Sequence, residues 1–447
     1  MDVVTLGAAK ADAKRKYNPV ADAKAERRPV CGLISHANPP GDGGRLSNGT
    51  DTGGNYRMKH TVIQSCHDIQ VAFGNFQNSS GTEQNGNGNL TIKASFETPS
   101  GVFVPIYFNG SRTVVIEPGG LVWSDPVGLA FRAGETFFTR TYISVTSGTR
   151  WPVQIITTTA DGEGGLVGTT QTDMTTSGTI TASSVYAYSP FMFRATPNKP
   201  VSQAPVIGVI GDSIAHGTGD STAPAARKGF VRKALTESYA QVMVPYESDT
   251  TPNWTYNTLS SSYQAPWGSQ RRKTFLNGIS HAIVELGRNS LNSTSISSVA
   301  GGQIAIELLS VWKTLAARGV KVYQTTITPQ TTSTDAWATV GGQTIADANK
   351  EGNRVYLNDW LRDGAPLQAS NTDVPLAAGT SSGAIRIGNA NHPLVGIFEV
   401  ADLAETARNS GIWKAGYTAD GLHPNNTGTP ALAPAITPSA FGPAATP

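Results

Sequence analysis

A serine follows directly on an apolar run near the middle of the chain. Residues 205–213 are Pro-Val-Ile-Gly-Val-Ile-Gly-Asp-Ser, so that Ser213 stands in a tight turn at the end of the run. Such a run is typical of a buried parallel strand that delivers a side chain to the carboxyl edge of a sheet, where α/β proteins bind their ligands. A serine hydroxyl at that edge is a candidate nucleophile, provided that a neighbouring base removes its proton.

Asp420 and His423, near the other end of the chain, could supply that base. They are three residues apart, and residues at this offset lie on one face of a helical turn. One short segment can therefore provide both an imidazole and the carboxylate that orients it. Asn289 follows another apolar stretch, and its amide is the kind of unreactive donor that a tetrahedral oxyanion requires. Together with Ser213, these residues indicate a serine hydrolase.

The same residues resemble the signature blocks of the SGNH (GDSL) hydrolase family, which carry Ser, Gly, Asn and His. Gly211-Asp212-Ser213 is similar to the first block, and the resemblance makes Ser213 the nucleophile, with its own amide in the oxyanion hole. The segment from Asp420 to His423 is similar to the last block, Asp-x-x-His. The resemblance covers roughly residues 201–430, and it implies neither a metal nor an organic cofactor.

The two middle blocks are matched less completely. Gly287-Arg288-Asn289-Ser290 resembles the third block, usually Gly-x-Asn-Asp, so Asn289 would donate to the oxyanion while Ser290 stands where an aspartate is common. For the second block, a lone oxyanion glycine, we choose Gly268; an ordinary turn glycine is the alternative. Residues 353–362 look like the helix that precedes the last strand in bacterial members, and residues 398–402 look like that strand.

Three other features could mimic such a site. His216 and His392 are rival bases, but neither has an obvious carboxylate beside it in the sequence, and we expect both to serve structure or substrate contact. Residues 379–383, Gly-Thr-Ser-Ser-Gly, formally fit the Gly-x-Ser-x-Gly elbow. Since no clear strand precedes this segment and no helix follows it, we predict a loop there.

From residue 201 to residue 430 the chain predicts an α/β/α domain. Apolar strand-like segments alternate with helix-like ones, which implies a mainly parallel sheet covered on both faces. The predicted strands are Val206–Ile210, Trp254–Leu259, Ala282–Leu286 and Val320–Ile327. The predicted helices are Arg227–Ala240, Gln303–Arg318 and Gly342–Asp363.

Residues 56–200 predict a β-sandwich of jelly-roll type that could bind carbohydrate. Short strands recur at regular spacing with turn residues between them, and Asn109-Gly110 is a strong signal for a hairpin turn between two of them. Four aromatic residues could line a sugar-binding surface, although we expect most of them to fill the core. They are Trp123, Tyr142, Trp151 and Tyr186.

Two segments flank these domains. Residues 1–55 are expected to form an N-terminal arm or linker, with a short helix near Thr5–Ala13. Residues 431–447 form a Pro/Ala-rich tail that we expect to be extended or disordered. Cys31 and Cys66, the only two cysteines, could pair or remain free thiols, and the histidines near them fit no compact zinc-ligand spacing.

Composition limits the partners of this chain of 447 residues. The formal net charge is only +2 and the basic residues are scattered, which argues against a nucleic-acid-binding face. No apolar run approaches the ~20 residues of a membrane helix, and we expect no membrane insertion. Charged residues make up 15% of the chain, and the N-terminus lacks a basic signal region. We therefore expect an extracellular or virion-associated protein.

The sequence supports two functions. The first is an SGNH-type serine esterase that removes O-acetyl or other short acyl groups from polysaccharide or cell-surface glycan. Small esters are further candidate substrates, and the sequence offers no large apolar segment to serve as a lipase lid. The alternative is a bacteriophage tail or virion appendage protein that binds host glycans, with the hydrolase domain accessory or inactive. Residues 5–13 look similar to short helical segments of tail proteins, and the arm could associate with itself or with other tail proteins.

Overall fold

The computed structural model describes residues 28–29, 33–35, 45–79, 81–153, 155–199, 203–222, 228–235, 238–255, 270–291 and 302–443. The remaining residues include the predicted Thr5–Ala13 helix, Cys31 and Gly268, so these three predictions lie outside the described part of the chain. Two stretches follow each other along the chain: a β-rich unit, described up to residue 199, and an α/β unit that begins at residue 203.

A seven-stranded antiparallel sheet forms the larger part of the β-rich unit. Its long central strands alternate buried and half-buried residues, as expected for strands with one face in a core. In spatial order the strands are Gly164–Gly168, Gly53–Val62, Thr136–Ser144, Leu90–Glu97 and Phe103–Pro105, with Leu33–Ser35 on the second of them and Val114–Ile116 on the fourth.

A five-stranded antiparallel sheet packs against it through aromatic side chains. Phe137 of the larger sheet lies 5.9 Å from Phe193 and 4.7 Å from Phe131 of the smaller one, measured between ring centroids. The strands are Arg28–Pro29, Met192–Pro197, Cys66–Gly74 and Leu121–Trp123, with Val127–Phe131 also on Cys66–Gly74. Two antiparallel sheets agree with the predicted β-rich unit, while the jelly-roll connectivity stays a prediction.

Two small antiparallel pairs complete the β-rich unit. One joins Ile155–Ile156 to Tyr186–Ala187. The other, which we call the hairpin, joins Phe76–Ser79 to Thr82–Asn85.

The predicted turn at Asn109-Gly110 is present, but the predicted hairpin around it is wrong. Both residues have positive φ, and Phe108 and Ser111 form an isolated bridge across the turn. Beyond this bridge the flanking strands pair with Leu90–Glu97 and not with each other. That longer strand offers an edge on which both short strands satisfy their backbone groups.

The four candidate aromatic residues are not one exposed surface. Trp151 is fully buried, and its indole N–H donates to the Tyr56 hydroxyl at 3.0 Å. Trp123, Tyr142 and Tyr186 are half-buried, and arginine side chains cover the rings of Trp123 and Tyr186 at 4.2 Å. The expectation that most of them serve packing therefore fits their environments better than a sugar-binding row.

The α/β unit contains the predicted parallel sheet, now with five strands. In chain order we call them the first to fifth parallel strands: Val206–Gly211, Ala240–Met243, His281–Glu285, Lys321–Thr325 and Leu394–Phe398. The spatial order is second, first, third, fourth, fifth, and every pairing is parallel. The first parallel strand therefore lies beside the third, and the residues after these two strands share one edge of the sheet.

Both faces of this sheet are covered, as predicted. Alternate residues of the first parallel strand enter different cores, with Val206 and Ile210 on one side and Ile207 and Val209 on the other. Two helices with stacked tryptophans, Gln303–Ala316 and Ala348–Arg362, cover the first side. Shorter helices cover the other, among them Phe230–Leu235 and Gly428–Leu432. The unit thus has the α/β/α layers that the alternating pattern indicated.

The remaining elements are short. Among the described residues the other α-helices are Ser213–His216, Gln270–Phe275 and Ala401–Ala404, and the 3-10 turns are Thr159–Asp161, Thr251–Trp254, Arg288–Ser290, Ala433–Ala435 and Pro438–Phe441. A pair joins Thr331–Ser333 to Gln343–Ile345, and a three-stranded sheet contains Asn371–Pro375, Leu367–Gln368 and Ala384–Ile385. No helix among the described residues combines the length and apolarity needed to cross a membrane.

Three predicted elements of the α/β unit are wrong in type or place. Trp254, the first residue of a predicted strand, ends a 3-10 turn, while residues 256–259 of that prediction lie outside the described residues. The second parallel strand is Ala240–Met243, whose first residue we predict as the end of a helix. That helix is only Phe230–Leu235 in the structure. The segment 398–402 leaves the last strand and enters the helix Ala401–Ala404. Short apolar runs do not distinguish a buried strand from a buried helix, which explains these errors.

The described part of the tail is ordered, contrary to our expectation. Residues 433–441 form two 3-10 turns, and Phe441 is 3% exposed. Its ring packs against His281, Tyr323 and Phe398 of the parallel sheet at centroid distances of 5.5 to 5.8 Å. This buried aromatic side chain helps to fasten the tail across one face of the sheet.

We expect Phe441→Ala to lower the free energy of unfolding by about 3 to 5 kcal/mol, because it leaves a cavity over the sheet. Chemical denaturation measures this loss. Tyr356→Ala is the control, since Tyr356 is 47% exposed and surface substitutions usually change stability by about 0.5 kcal/mol or less. Equal losses in the two variants would contradict the anchoring role.

Candidate active site

Ser213 lies at the turn between the first parallel strand and the short helix Ser213–His216. Asp212 caps this helix, because its carboxylate accepts the N–H of Ile214 at 2.9 Å. At Gly211 a side chain would not fit, since an added Cβ would lie 2.6 Å from the Cβ of Ala215 and 2.8 Å from Glu285. The turn is therefore tight, and the Ser213 N–H lies in the first turn of the helix, where N–H groups have no intrahelical acceptor.

The structure brings Ser213, His423 and Asp420 together. The Nε2 atom of His423 lies 2.8 Å from the Ser213 hydroxyl, and its Nδ1 atom lies 2.6 Å from a carboxylate oxygen of Asp420. With Nδ1 protonated, His423 donates to Asp420 and leaves Nε2 as the acceptor for the serine hydroxyl proton. Residues separated by about half the chain thus form one continuous hydrogen-bonded row.

Asp420 is held as an anion although its side chain is 53% exposed. Partial burial raises the pKa of this carboxyl, but hydrogen bonds from the His423 ring and from the backbone N–H groups of Leu422 and His423 outweigh burial. The net effect is a pKa well below the usual aspartate range. The permanent negative charge of the Asp420 carboxylate beside His423 Nδ1 favours the tautomer with a proton on Nδ1, which is the one that the Ser213 contact requires.

Asn289 and Ser290 occupy the 3-10 turn that follows the third parallel strand, at the same sheet edge as Ser213. The amide of Asn289 donates to the backbone carbonyl of Asp249 at 3.0 Å. Ser290 stands where aspartate is common in the resembling family, and its hydroxyl accepts the N–H and the hydroxyl of Thr251, both at 3.0 Å. A serine can therefore fasten this loop as well.

The other candidates lie apart from this row. The ring of His392 is buried, with Nε2 2.9 Å from the Ala365 carbonyl and Nδ1 accepting the Leu394 N–H, so it stabilises a loop as expected. His216 is half-buried at the end of the Ser213–His216 helix. Residues 379–383 form the predicted loop between short strands. Among the described residues no group of three or more His, Cys, Asp or Glu could hold a metal ion.

A buried pair of carboxyl groups lies directly behind Ser213. Asp212 and Glu285 are fully or almost fully buried, and Glu285 accepts the backbone N–H of Asp212 at 3.3 Å. Burial raises the pKa of both carboxyls, and the charge of Asp212 raises that of Glu285 further. We therefore infer that Glu285 stays protonated at neutral pH, since two adjacent buried carboxylates do not both ionise.

The difference in unfolding free energy between Glu285→Gln and the wild type should shift in favour of the variant as the pH rises. In the wild type the folded state keeps a proton that unfolded Glu285 loses near its usual pKa, so stability falls with rising pH up to the raised folded pKa. Glutamine cannot titrate, and its amide resembles the neutral acid. Urea unfolding between about pH 5 and 8 measures the difference. Parallel pH profiles for the wild type and the Glu285→Gln variant would contradict a protonated Glu285.

Sequence reasoning missed two buried acids near the site. Glu285 carries a signal, because a charged residue at the end of an apolar strand-like run is unusual. Asp249 carries none, since it lies in a polar loop that is distant from Asn289 in the sequence. Asp249 meets the Asn289 amide only through the tertiary packing of that loop.

No protein-family model matches the chain, and no curated protein matches it. Among solved structures the chain is similar to a carbohydrate acetylesterase family member from Sinorhizobium meliloti, with 15% identity, a TM-score of 0.33 and coverage of 53% of this chain and 97% of the other. A GDSL-like lipase from Bacteroides thetaiotaomicron has 14% identity, a TM-score of 0.32 and coverage of 54% and 90%. A family two carbohydrate esterase from Clostridium thermocellum has 11% identity, a TM-score of 0.28 and coverage of 90% and 95%.

Proposed function

We propose that this chain is a serine esterase of SGNH type. The observation that carries the proposal is the hydrogen-bonded row from the Ser213 hydroxyl through the His423 ring to the Asp420 carboxylate. In this mechanism Ser213 Oγ attacks the ester carbonyl while His423 Nε2 takes its proton. His423 then returns the proton to the leaving alcohol, which leaves an acyl group on Ser213. Water, activated by His423, hydrolyses the acyl-serine and restores the enzyme.

The tetrahedral intermediates need hydrogen-bond donors for their oxyanion. We assign this role to the Ser213 backbone N–H and to the side-chain amide of Asn289, whose second N–H is not needed for the bond to Asp249. Gly268 remains our prediction for a third donor. Because Asp420 stays anionic, it can stabilise the imidazolium that forms when Ser213 loses its proton.

For the substrate we propose short acyl esters, O-acetyl groups of polysaccharide or cell-surface glycan above all. Support comes from the sequence, in which a β-rich unit accompanies the hydrolase unit and no large apolar lid segment is evident. The alternative of a virion appendage protein depends in part on residues 5–13, which lie outside the described residues.

Labelling with a fluorophosphonate tests the assignment of the nucleophile. The wild-type protein should gain one phosphonyl group, and peptide mapping should place it on Ser213, because only an activated serine reacts quickly. An excess of p-nitrophenyl acetate in the reaction should slow the labelling, because the ester and the fluorophosphonate compete for the same serine. Labelling spread over several serines, or none at all, would refute the proposal.

Acetate release from acetylated polysaccharide tests the substrate class. We expect acetate from an O-acetylated glycan and faster cleavage of p-nitrophenyl acetate than of the corresponding long-chain ester. The protein could instead cleave long-chain esters well and release no acetate from any acetylated glycan. That result would refute the glycan deacetylase while leaving the serine esterase in place.

A further inference from the structure

The hairpin of the β-rich unit reaches into the α/β unit beside the candidate active site. At its tip an added Cβ on Gly81 would lie 2.4 Å from the backbone carbonyl oxygen of Ser248, so the tip lies directly against that backbone. Asn253 donates its amide to the Gly81 carbonyl at 3.0 Å, and Asn78 donates to the carbonyl of Glu247 at 3.4 Å. The hairpin is thus packed against residues 247–253 of the α/β unit through backbone atoms as well as side chains.

Glu83, on the second strand of the hairpin, carries a buried charge into this contact. It is 3% exposed, and its two carboxylate oxygens accept the backbone N–H groups of Arg271 at 3.1 Å and of Arg272 at 2.9 Å. The guanidinium of Arg272 lies 3.5 Å from the same carboxylate. One acid of the β-rich unit thereby fixes both the backbone and the charge of Arg272.

Arg272 passes this constraint on to Asp249. Its guanidinium donates to a carboxylate oxygen of Asp249 at 2.7 Å and to the Val244 carbonyl at 2.9 Å, and both charged side chains are fully buried. The indole N–H of Trp254 donates to the same Asp249 oxygen at 2.8 Å. A buried ion pair whose two partners also hydrogen-bond to neighbouring groups is held in a defined geometry.

The backbone carbonyl of Asp249 in turn holds the amide of Asn289 at 3.0 Å. Asn289 is exposed, and an exposed amide samples several rotamers unless a partner fixes it. Its usefulness as an oxyanion donor therefore depends on how firmly the Asp249 carbonyl is placed, because such donors act by preorganisation.

We propose that Glu83 is a positioning residue for the hydrolase reaction. It acts through Arg272 and Asp249 to fix the amide of Asn289, so that the β-rich unit completes the oxyanion hole of the α/β unit. This inference rests on the proposed esterase function. It adds that the β-rich unit takes part in the chemistry and does more than accompany the hydrolase unit.

The test is a double-mutant cycle on kcat for p-nitrophenyl acetate, at matched folded fraction by circular dichroism. Asn289→Ala should lower kcat by about 10² to 10³, as for the loss of one oxyanion donor. Glu83→Gln keeps the size and one acceptor oxygen but removes the charge, and we expect it to lower kcat about tenfold with KM within about twofold. In the Asn289→Ala background Glu83→Gln should lower kcat by less than about twofold, because the amide that Glu83 positions is already absent.

Glu97→Gln is the matched control. Glu97 is also a buried acid of the β-rich unit, where it pairs with Arg57 and Arg140 of the seven-stranded sheet. Its loss should lower stability and leave kcat unchanged. Should Glu83→Gln fail to fold, Asn253→Ala removes an amide that donates both to the Gly81 carbonyl of the hairpin and to the Asp249 carboxylate, without removing a buried charge. It should give a smaller loss of kcat with the same dependence on Asn289.

Two results would overturn the inference. One is a loss of kcat that is equal in the wild-type and Asn289→Ala backgrounds, for Glu83→Gln or for its substitute. The other is an equal loss of kcat in Glu97→Gln, which would indicate general destabilisation. A wild-type protein without esterase activity would refute the proposed function itself, and that outcome is distinct from both.

Discussion

The Ser213→Ala variant should lose esterase activity, with kcat/KM for p-nitrophenyl acetate lowered by about 10⁴-fold or more. The His423 ring faces the Ser213 hydroxyl at 2.8 Å, and alanine leaves nothing at this place to form the acyl intermediate. Because Ser213 is 8% exposed and alanine is smaller, the fold should survive. Initial rates at saturating and subsaturating substrate separate kcat from KM, and circular dichroism checks folding.

Ser100→Ala serves as the control, since Ser100 is an exposed serine of the β-rich unit. This variant should keep wild-type rates. Equal activity in Ser213→Ala and in the wild type would mean that another group performs the hydrolysis, and the assignment of the row around Ser213 would be wrong. Pre-steady-state measurements add a second check, because a burst of p-nitrophenol requires an acyl-enzyme.

The parallel sheet was predictable from the sequence where its strands carry long apolar runs. Val206–Gly211 and His281–Glu285 are buried along their whole length and match the predicted strands within a residue or two. Ala240–Met243 has only four residues, and the apolar residues before it continue a helix-like pattern. Periodicity alone cannot separate these two states in so short a run. Pairing with the first parallel strand decides the outcome, and that is a tertiary interaction.

The candidate site was likewise predictable from the sequence only in part. The order of Ser213, Asn289, Asp420 and His423 along the chain indicated their chemistry, since each residue type has a distinct role in acyl transfer. The support behind Asn289 was not predictable. Asp249 acts through a backbone carbonyl, which any residue type could supply, and its carboxylate is held by an arginine from a different element. Such contacts leave no pattern in a single sequence.

Asp420→Asn should lower kcat/KM by about 10³- to 10⁴-fold while leaving the fold intact. The carboxylate accepts the His423 Nδ1–H at 2.6 Å and also two backbone N–H groups. Asparagine keeps the size but offers one acceptor oxygen where the carboxylate has two, and its N–H₂ group presents a donor to the ring. The His423 tautomer that can take the serine proton is then disfavoured, and no negative charge stabilises the imidazolium.

The dependence on pH follows from the lowered pKa of Asp420. Stability contributed by the ionised carboxylate is present above its unfolded pKa and disappears only as the pH falls through the lower folded value. Between about pH 5 and 8 the carboxylate therefore stays charged, and its own titration adds no pH dependence to the deficit of Asp420→Asn over that range. In the Ser213→Ala background the same substitution should cost little, since residues of one catalytic row act as a unit. A full additional loss there would show that Asp420 acts independently of Ser213, and the row would have to be abandoned as the origin of activity.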